Sequence, residues 1–212
     1  MKTLVGTVLA VALVAPASLA AHRLDEYLQA SRLQVTRGQV TVEIDLAPGA
    51  SIADPVAALV DTDHDGRFSP LEAEVYGRAV LADVHIDADG RAVPLALTRV
   101  EVPTMAEMSE GVGMIRLRAD GDLRTVAGRR LRLVYRNSHR SDSSVYLVNA
   151  LVPASRDIAM AAQSRDQQQR EIRLEYDVSS RWMAQIAWLM ASIVGVGGLV
   201  VMRWTGGRAR VE

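Results

Sequence analysis

Between residues 40 and 46 the hydrophobic positions fall on every second place: Val40, Val42, Ile44 and Leu46 alternate with Thr41, Glu43 and Asp45. Side chains of an extended chain point to opposite faces in turn, so this spacing predicts a strand with one buried face. The alternation returns from Met114 to Arg118, from Arg130 to Arg136 with Leu131, Leu133 and Tyr135 inward, and from Glu171 to Val178 with Ile172, Leu174, Tyr176 and Val178 inward. A further segment, SVYLVNALVP at 144–153, is almost continuously apolar and predicts a strand near the middle of a packed sheet. Polar runs at Arg37-Gly38, Ala88-Asp89-Gly90 and Asp120-Gly121-Asp122 predict the turns between strands. Together these runs predict a mainly β fold, an antiparallel β-sandwich.

From about residue 53 to 82 the spacing becomes helical. Asp54-Pro55 predicts a helix start, with Asp54 as the side-chain cap and proline at the first helical position. Val56, Leu59 and Val60 then form a short apolar ridge, and Leu71, Val75 and Ala79 recur at helical intervals before the strand-like Val84-His85-Ile86. Between the two helices stands DTDHDGRFSPLE, residues 61–72, with acids at its first, third, fifth and twelfth places and glycine at its sixth.

That loop resembles the calcium-binding loop of the EF-hand family, over roughly thirty residues counting both helices. The resemblance implies carboxylate ligands from Asp61, Asp63 and Asp65, a sharp turn at Gly66, the main-chain carbonyl of Arg67, Ser69 directly or through water, and both oxygens of Glu72. Phe68, the only phenylalanine, stands at the eighth place, where the family carries an apolar residue pointing away from the ion. Calcium is expected over magnesium, because a bidentate glutamate favours the larger ion. Ser69-Pro70-Leu71-Glu72 also reads as a capping box opening the second helix, and both roles can hold together. A cap does not account for three aspartates at alternate places. An aspartate-nucleophile phosphotransferase would need threonine where Arg67 stands. A dockerin would need a second loop, and the nearest candidate, His85 to Ala96, reads better as a hairpin turn.

The ends of the chain set the expected location. Lys2, the apolar run Leu4 to Val14 and the small-x-small pattern Ser18-Leu19-Ala20 predict a signal peptide over 1–20, with a mature chain starting at Ala21-His22. Residues 182–202 carry no charge and, at ~1.5 Å per helical residue, cover the thickness of a hydrocarbon core. They predict one transmembrane helix, flanked by Trp182 and Trp204, with Arg203, Arg208 and Arg210 marking 203–212 as a cytoplasmic tail. The expected arrangement is a single-pass protein of a bacterial inner membrane, with residues 21–180 exported. Ala187, Ala191 and Gly195 form a small-residue stripe suited to self-association or to a membrane-protein partner.

Composition narrows the functional classes. With 24 basic and 25 acidic residues the formal charge is -1, so no global field draws the chain to nucleic acid. Cysteine is absent, which excludes disulfides, thiolate metal sites and cysteine nucleophiles. Arg116, Arg118, Arg124, Arg129, Arg130, Arg132, Arg136 and Arg140 make a basic region, expected chiefly as a solvated strand face paired with Glu171, Glu175 and Asp177. His139, close in sequence to Asp142, Ser143 and Ser144, and His22, beside a mature amino terminus, carry the alternative of a hydrolase or a transition-metal-handling accessory protein. No nucleophile elbow, zinc helix motif or phosphate loop accompanies them, so no catalytic residue is assigned and the expectation is not an enzyme.

AHRLDEYLQA (21–30), AEMSEGVGMIRLR (106–118) and HRSDSSVYLVNALVP (139–153), around DTDHDGRFSPLE, resemble the exported N-terminal domains found ahead of multi-span segments in nickel-accessory permease-like proteins of hydrogenase and urease systems. The resemblance covers most of residues 21–178 and implies an accessory role near a transporter. This chain departs from those proteins in having one predicted helix after the domain, so permease activity does not carry over.

Overall fold

The computed structural model describes residues 25–179. The 1–20 segment, His22, the 182–202 run with Ala187, Ala191 and Gly195, and the 203–212 tail lie outside the described residues. Among the described residues no helix is long and apolar enough to cross a membrane.

Strands β1 (Tyr27–Val35) and β2 (Gln39–Pro48) are followed by helices α1 (Ala53–Val60) and α2 (Pro70–Ala82). Then come β3 (Val84–Ala88), β4 (Arg91–Ala92), β5 (Ala96–Glu101), the short helix α3 (Met105–Ser109) and β6 (Ile115–Asp122). Strands β7 (Arg130–Asn137), β8 (Ser144–Ala150), β9 (Ile158–Arg165) and β10 (Glu171–Val178) complete the fold. They make two five-stranded sheets, in the orders β5-β6-β2-β1-β8 and β4-β3-β7-β10-β9. The fold is mainly β, and the two helices interrupt it where the periodicity changed.

One core joins the sheets. Val40, Val42, Ile44 and Leu46 from β2 pack in the same cluster as Leu131, Leu133 and Tyr135 from β7 and Ile172, Leu174, Tyr176 and Val178 from β10. Each such side chain contributes ~1.5–3 kcal/mol by leaving water. The partners that alternate with them carry ion pairs on the outer face: Glu43 with Arg118, Asp45 with Arg32, and Arg130 with Glu175 and Asp177. Arg116 and Arg132 are paired likewise, with Glu101 and Glu175.

Four local expectations are corrected. The apolar 144–153 segment forms β8 at the edge of its sheet, parallel to β1, so one strand pair is not antiparallel. Tyr146 and Val148 face the core while Val145 and Leu147 stay more than a third exposed, as an edge with one solvated face permits. Asp120-Gly121-Asp122 is not a turn but the end of β6, with Gly121 paired to Val40. A Cβ on Gly121 would lie 2.7 Å from Val93 Cγ1, so close approach of that neighbour, not chain reversal, explains the glycine. The first residue before α1 is Ile52 and no side chain caps it; the Asp54 carboxylate accepts from Ser109 Oγ at 3.2 Å instead.

The helix phases shift too. Val56 and Val60 are buried but Leu59 is 44% exposed. On α2 the expected ridge faces solvent, with Leu71 71% and Val75 53% exposed and Ala79 outside, while Ala73, Tyr76, Gly77 and Val80 face the core. The small Gly77 lets α2 lie against β5 and β6, since a Cβ there would meet Leu97 Cδ2 at 3.0 Å and Leu117 Cδ2 at 3.2 Å. The amphipathic spacing was real, and a tyrosine with a polar partner took the inward position from two aliphatic residues.

Register gives the molecule two distinct ends. Tyr27 lies opposite Pro48 and beside Ser144, and Val84 opposite Asn137, so α1, α2 and residues 138–143 gather at one end. Val35 lies opposite Val40, Leu33 beside Ala150, and Asp177 opposite Arg130. The other end therefore carries the 36–38 turn, the 89–90 turn, the 123–129 link, the 151–157 link and Ser179.

Candidate metal centre

The loop from Asp61 to Glu72 starts where α1 ends: the Asp61 backbone N–H donates to Ala57 O at 2.8 Å. The chain then folds back on its own carboxylates. Asp61 Oδ1 accepts from the N–H of Asp65 at 3.1 Å and Oδ2 from Gly66 at 3.0 Å. Asp63 Oδ1 accepts from Asp65 N–H, and Asp65 Oδ1 from Arg67 N–H. Gly66 takes φ +78°, a left-handed conformation that costs an L-residue about 1–2 kcal/mol, and His64 accepts that cost at φ +59°.

These bonds turn the three carboxylates towards one another. Asp61, Asp63 and Asp65 each bring one carboxylate oxygen within 4.8 Å of the others, a group that can hold a metal ion. The donors are hard oxygens, and the residue that anchors them, Asp61, is 5% exposed. Two charges at about 4 Å interact by roughly 1 kcal/mol in water and several times more near a protein surface, so three carboxylates at this spacing favour a cation between them.

Glu72 stands apart from that group. Its Oε1 accepts from the N–H of Thr62 at 2.6 Å, from Thr62 Oγ1 at 3.0 Å and from Asp63 N–H at 3.3 Å. Its Oε2 accepts from Ser69 N–H and Ser69 Oγ, while Ser69 Oγ accepts from Glu72 N–H, so both halves of the capping box are present. Glu72 thereby fastens the end of the twelve-residue loop to its beginning through protein bonds alone. Hydrogen bonds from Ser69 and then Thr62 pull its carboxyl down to about 2. Its closing role, fully present above the ordinary carboxylate range, is lost only as pH falls through that value.

The loop is tied to the sheets on both sides. Phe68 packs against the core cluster. Four residues past Glu72, Tyr76 OH meets Tyr27 OH at 2.8 Å, both rings buried, which joins α2 to β1. His139 lies edge-on to both rings, with centroids 6.3 Å from Tyr27 and 6.1 Å from Tyr76. Its Nδ1 bonds Asp83 Oδ2 at 2.8 Å, just past the end of α2.

Around His139 the polar atoms form a connected set. Gln29 Nε2 donates to His139 O and to Ser144 Oγ, Asn137 Nδ2 donates to Gln29 Oε1, and Tyr146 OH donates to His139 O. Residues 27–30 and 144–150, from two of the stretches that carry the resemblance, thus lie in β1 and β8 side by side, with Gln29 bonded to Ser144. The ring does not meet a nucleophile: Ser143 Oγ bonds Asp142, Ser144 Oγ donates to the His139 carbonyl, and His139 Nε2 is buried without a partner.

Burial holds His139 below its ordinary value of 6.5, against the opposing pull of Asp83 and with a small downward push from Arg140. The folded state keeps the ring neutral while the unfolded state takes a proton near pH 6.5. Stability is therefore highest above that value and falls as pH drops through it towards the lower folded value. The urea midpoint should be lower at pH 5.5 than at pH 7.5, and His139→Gln should reduce this difference; an unchanged pH dependence in the variant would show that another group sets it.

Local spacing alone made the aspartates and the cap visible. It gave no hint of Tyr27, Tyr76 or Asp83, which come together only through the fold. One signal was available in the sequence: aromatic residues are only 4% of the chain, which made each of the five tyrosines a candidate for a specific contact, and all five are buried in the fold. No protein-family model, curated protein or solved structure matches the chain, so its function has to be argued from these residues themselves.

Proposed function

We propose that this protein is a membrane-anchored, extracytoplasmic module in which one calcium ion at residues 61–72 stabilises a surface offered to a membrane or periplasmic partner. The observation that supports this most is the convergence of Asp61, Asp63 and Asp65 within 4.8 Å in a loop whose turns already satisfy their own backbone donors. The EF-hand order adds the Arg67 carbonyl, Ser69 and Glu72 as the remaining ligands, and calcium is favoured because it accepts many oxygens in flexible geometry. In this reading the fold is a β-sandwich, antiparallel except for the β1–β8 pair, carrying an EF-hand insert. Residues 1–20 direct export, 182–202 cross the bilayer, and 203–212 stay in the cytoplasm.

The role of the ion follows from what the loop is fastened to. Phe68 and Tyr76 tie the loop to the core, so holding the aspartates together also holds α1 and α2. Leu59, Leu71 and Val75 on the outer faces of those helices supply an apolar surface whose shape the ion would fix. A single loop without a paired neighbour suits a stabilising ion better than a cooperative switch.

Thermal melts of the full chain in detergent test this. Extracellular calcium modules bind at about 0.1–1 mM, so excess calcium over chelator should add roughly 1–3 kcal/mol and raise Tm by several degrees. Glu72→Gln keeps an acceptor for the cap but halves the carboxylate, and should lose most of the rise. Identical melting curves in calcium and chelator would sink the proposal.

A further inference from the structure

We infer that the end of the domain from which Ser179 leaves is a docking face for the head groups of an anionic bilayer, an inference that rests on the membrane-anchored reading of residues 182–202. Only residues 180 and 181 separate Ser179 from Trp182. At a maximum of ~3.6 Å per residue, the apolar run begins within about 11 Å of Ser179. Ser179 is itself fixed, its N–H donating to Asp157 O at 2.9 Å, while Val178 exchanges backbone bonds with Gly128 and Arg129. This whole end is therefore held at the bilayer surface, with the metal loop at the far end.

The chemistry of that end fits phosphate. On the flanks of the sheets arginines are neutralised, as in Arg32 with Asp45, Arg118 with Glu43 and Arg130 with Asp177. Arg37, Arg91, Arg124, Arg129 and Arg156 make no ion pair among the described residues, and each lies in a turn, link or short edge strand at the Ser179 end; Arg67, Arg136, Arg140 and Arg165, also without an ion pair, are spread over the other end and line neither of the two grooves below. Arg91, Arg124 and Arg129 line one groove of about 450 Å³ that also contains Val126. A second groove, of about 530 Å³, continues from Val126 and Arg129 to Val178.

Acidic groups are present and do not cancel this. Asp89 and Asp122 line the first groove, but Asp89 Oδ1 is already taken by the N–H of Arg132, and Asp157 also has a partner. Val126, 57% exposed, and Val152, 84% exposed, stand at the tips of the two links at this end. Apolar tips among unpaired guanidinium groups suit the boundary between head groups and acyl chains, where arginine pairs with phosphate in bidentate fashion.

The absence of cysteine makes single-site labels clean. Full chains carrying Val126→Cys, Val152→Cys or Leu71→Cys, each with an environment-sensitive dye, would be placed in nanodiscs of phosphatidylcholine with or without phosphatidylglycerol. The 126 and 152 labels should be roughly fivefold less accessible to a soluble quencher in anionic discs than in neutral ones, an effect reversed by high salt and by Arg91, Arg124 and Arg129→Gln together. The 71 label, at the opposite end, should not respond. Alkaline carbonate extraction of the same chains separates the two premises. Retention in the membrane with equal quenching in both discs overturns the docking face alone, whereas release into the supernatant overturns the anchor and the docking face with it.

Discussion

Asp61→Ala is expected to lower stability by roughly 2–4 kcal/mol even in chelator, and to abolish any response to calcium. The two effects have different origins. The Asp61 carboxylate is 5% exposed and accepts from the N–H groups of Asp65 and Gly66. Bonds to a charged acceptor are worth about 1.5–3 kcal/mol each, and their loss leaves the Gly66 N–H without an acceptor, while Asp65 N–H keeps only its bond to Asp63 Oδ1. Asp63 is exposed and accepts only from Asp65 N–H at 3.1 Å. Asp63→Ala should therefore remove the calcium response while changing the chelator baseline little. Urea denaturation of both variants, each in chelator and in millimolar calcium, separates the roles. Equal losses in chelator would show that Asp61 is no more structural than Asp63.

The contrast between these two aspartates explains what was legible in the sequence. The grouped carboxylates of the loop are local: Asp61, Asp63 and Asp65 stand at alternate places along five residues, so spacing reveals them without any knowledge of the fold. The strand faces of β2, β7 and β10 were legible for a similar reason, because Val42, Ile44, Leu133, Ile172 and their neighbours repeat the burial rule within one short segment. Sheet position was not legible. An almost continuously apolar run such as 144–150 implies burial on both faces, yet among the described residues β8 has no sheet neighbour beyond β1, and Arg165 reaches across to Val148 O and Asn149 instead. The second role of Glu72 was legible as a cap but not as a bond to Thr62, which depends on how tightly the loop closes.

Helix phase failed for an energetic reason that spacing cannot encode. Leu71, Val75 and Ala79 make as good a stripe as Ala73, Tyr76 and Val80, and hydrophobicity alone prefers the first. The second wins because Tyr76 buries a large ring and also finds Tyr27, 49 residues away, for its hydroxyl. Gly77 on the same face removes the side chain that would hold α2 away from Leu97 and Leu117. The choice follows from a contact with β1, so it becomes visible only once β1 is in place.

Tyr76 should accordingly be the residue outside the loop on which the metal site most depends. Tyr76→Ala removes a ring that is 5% exposed, opens a cavity beside Tyr27 and His139, and is expected to cost about 3–5 kcal/mol. Tyr76→Phe keeps the ring and leaves the buried Tyr27 hydroxyl without its partner, at a cost of about 1–3 kcal/mol. The Tyr27→Phe, Tyr76→Phe double variant should lose less than the sum of the two single changes, since neither hydroxyl then needs the other. Neither substitution touches a ligand, yet both loosen the helix that presents Glu72 and Ser69, so calcium affinity should fall in parallel with stability. Chemical denaturation supplies the thermodynamic cycle, and calorimetric titration with calcium supplies the affinities. Additive losses in the cycle would deny the hydroxyl pair its coupling, and an unchanged calcium affinity in Tyr76→Ala would show that the loop holds its geometry without α2 being anchored to β1.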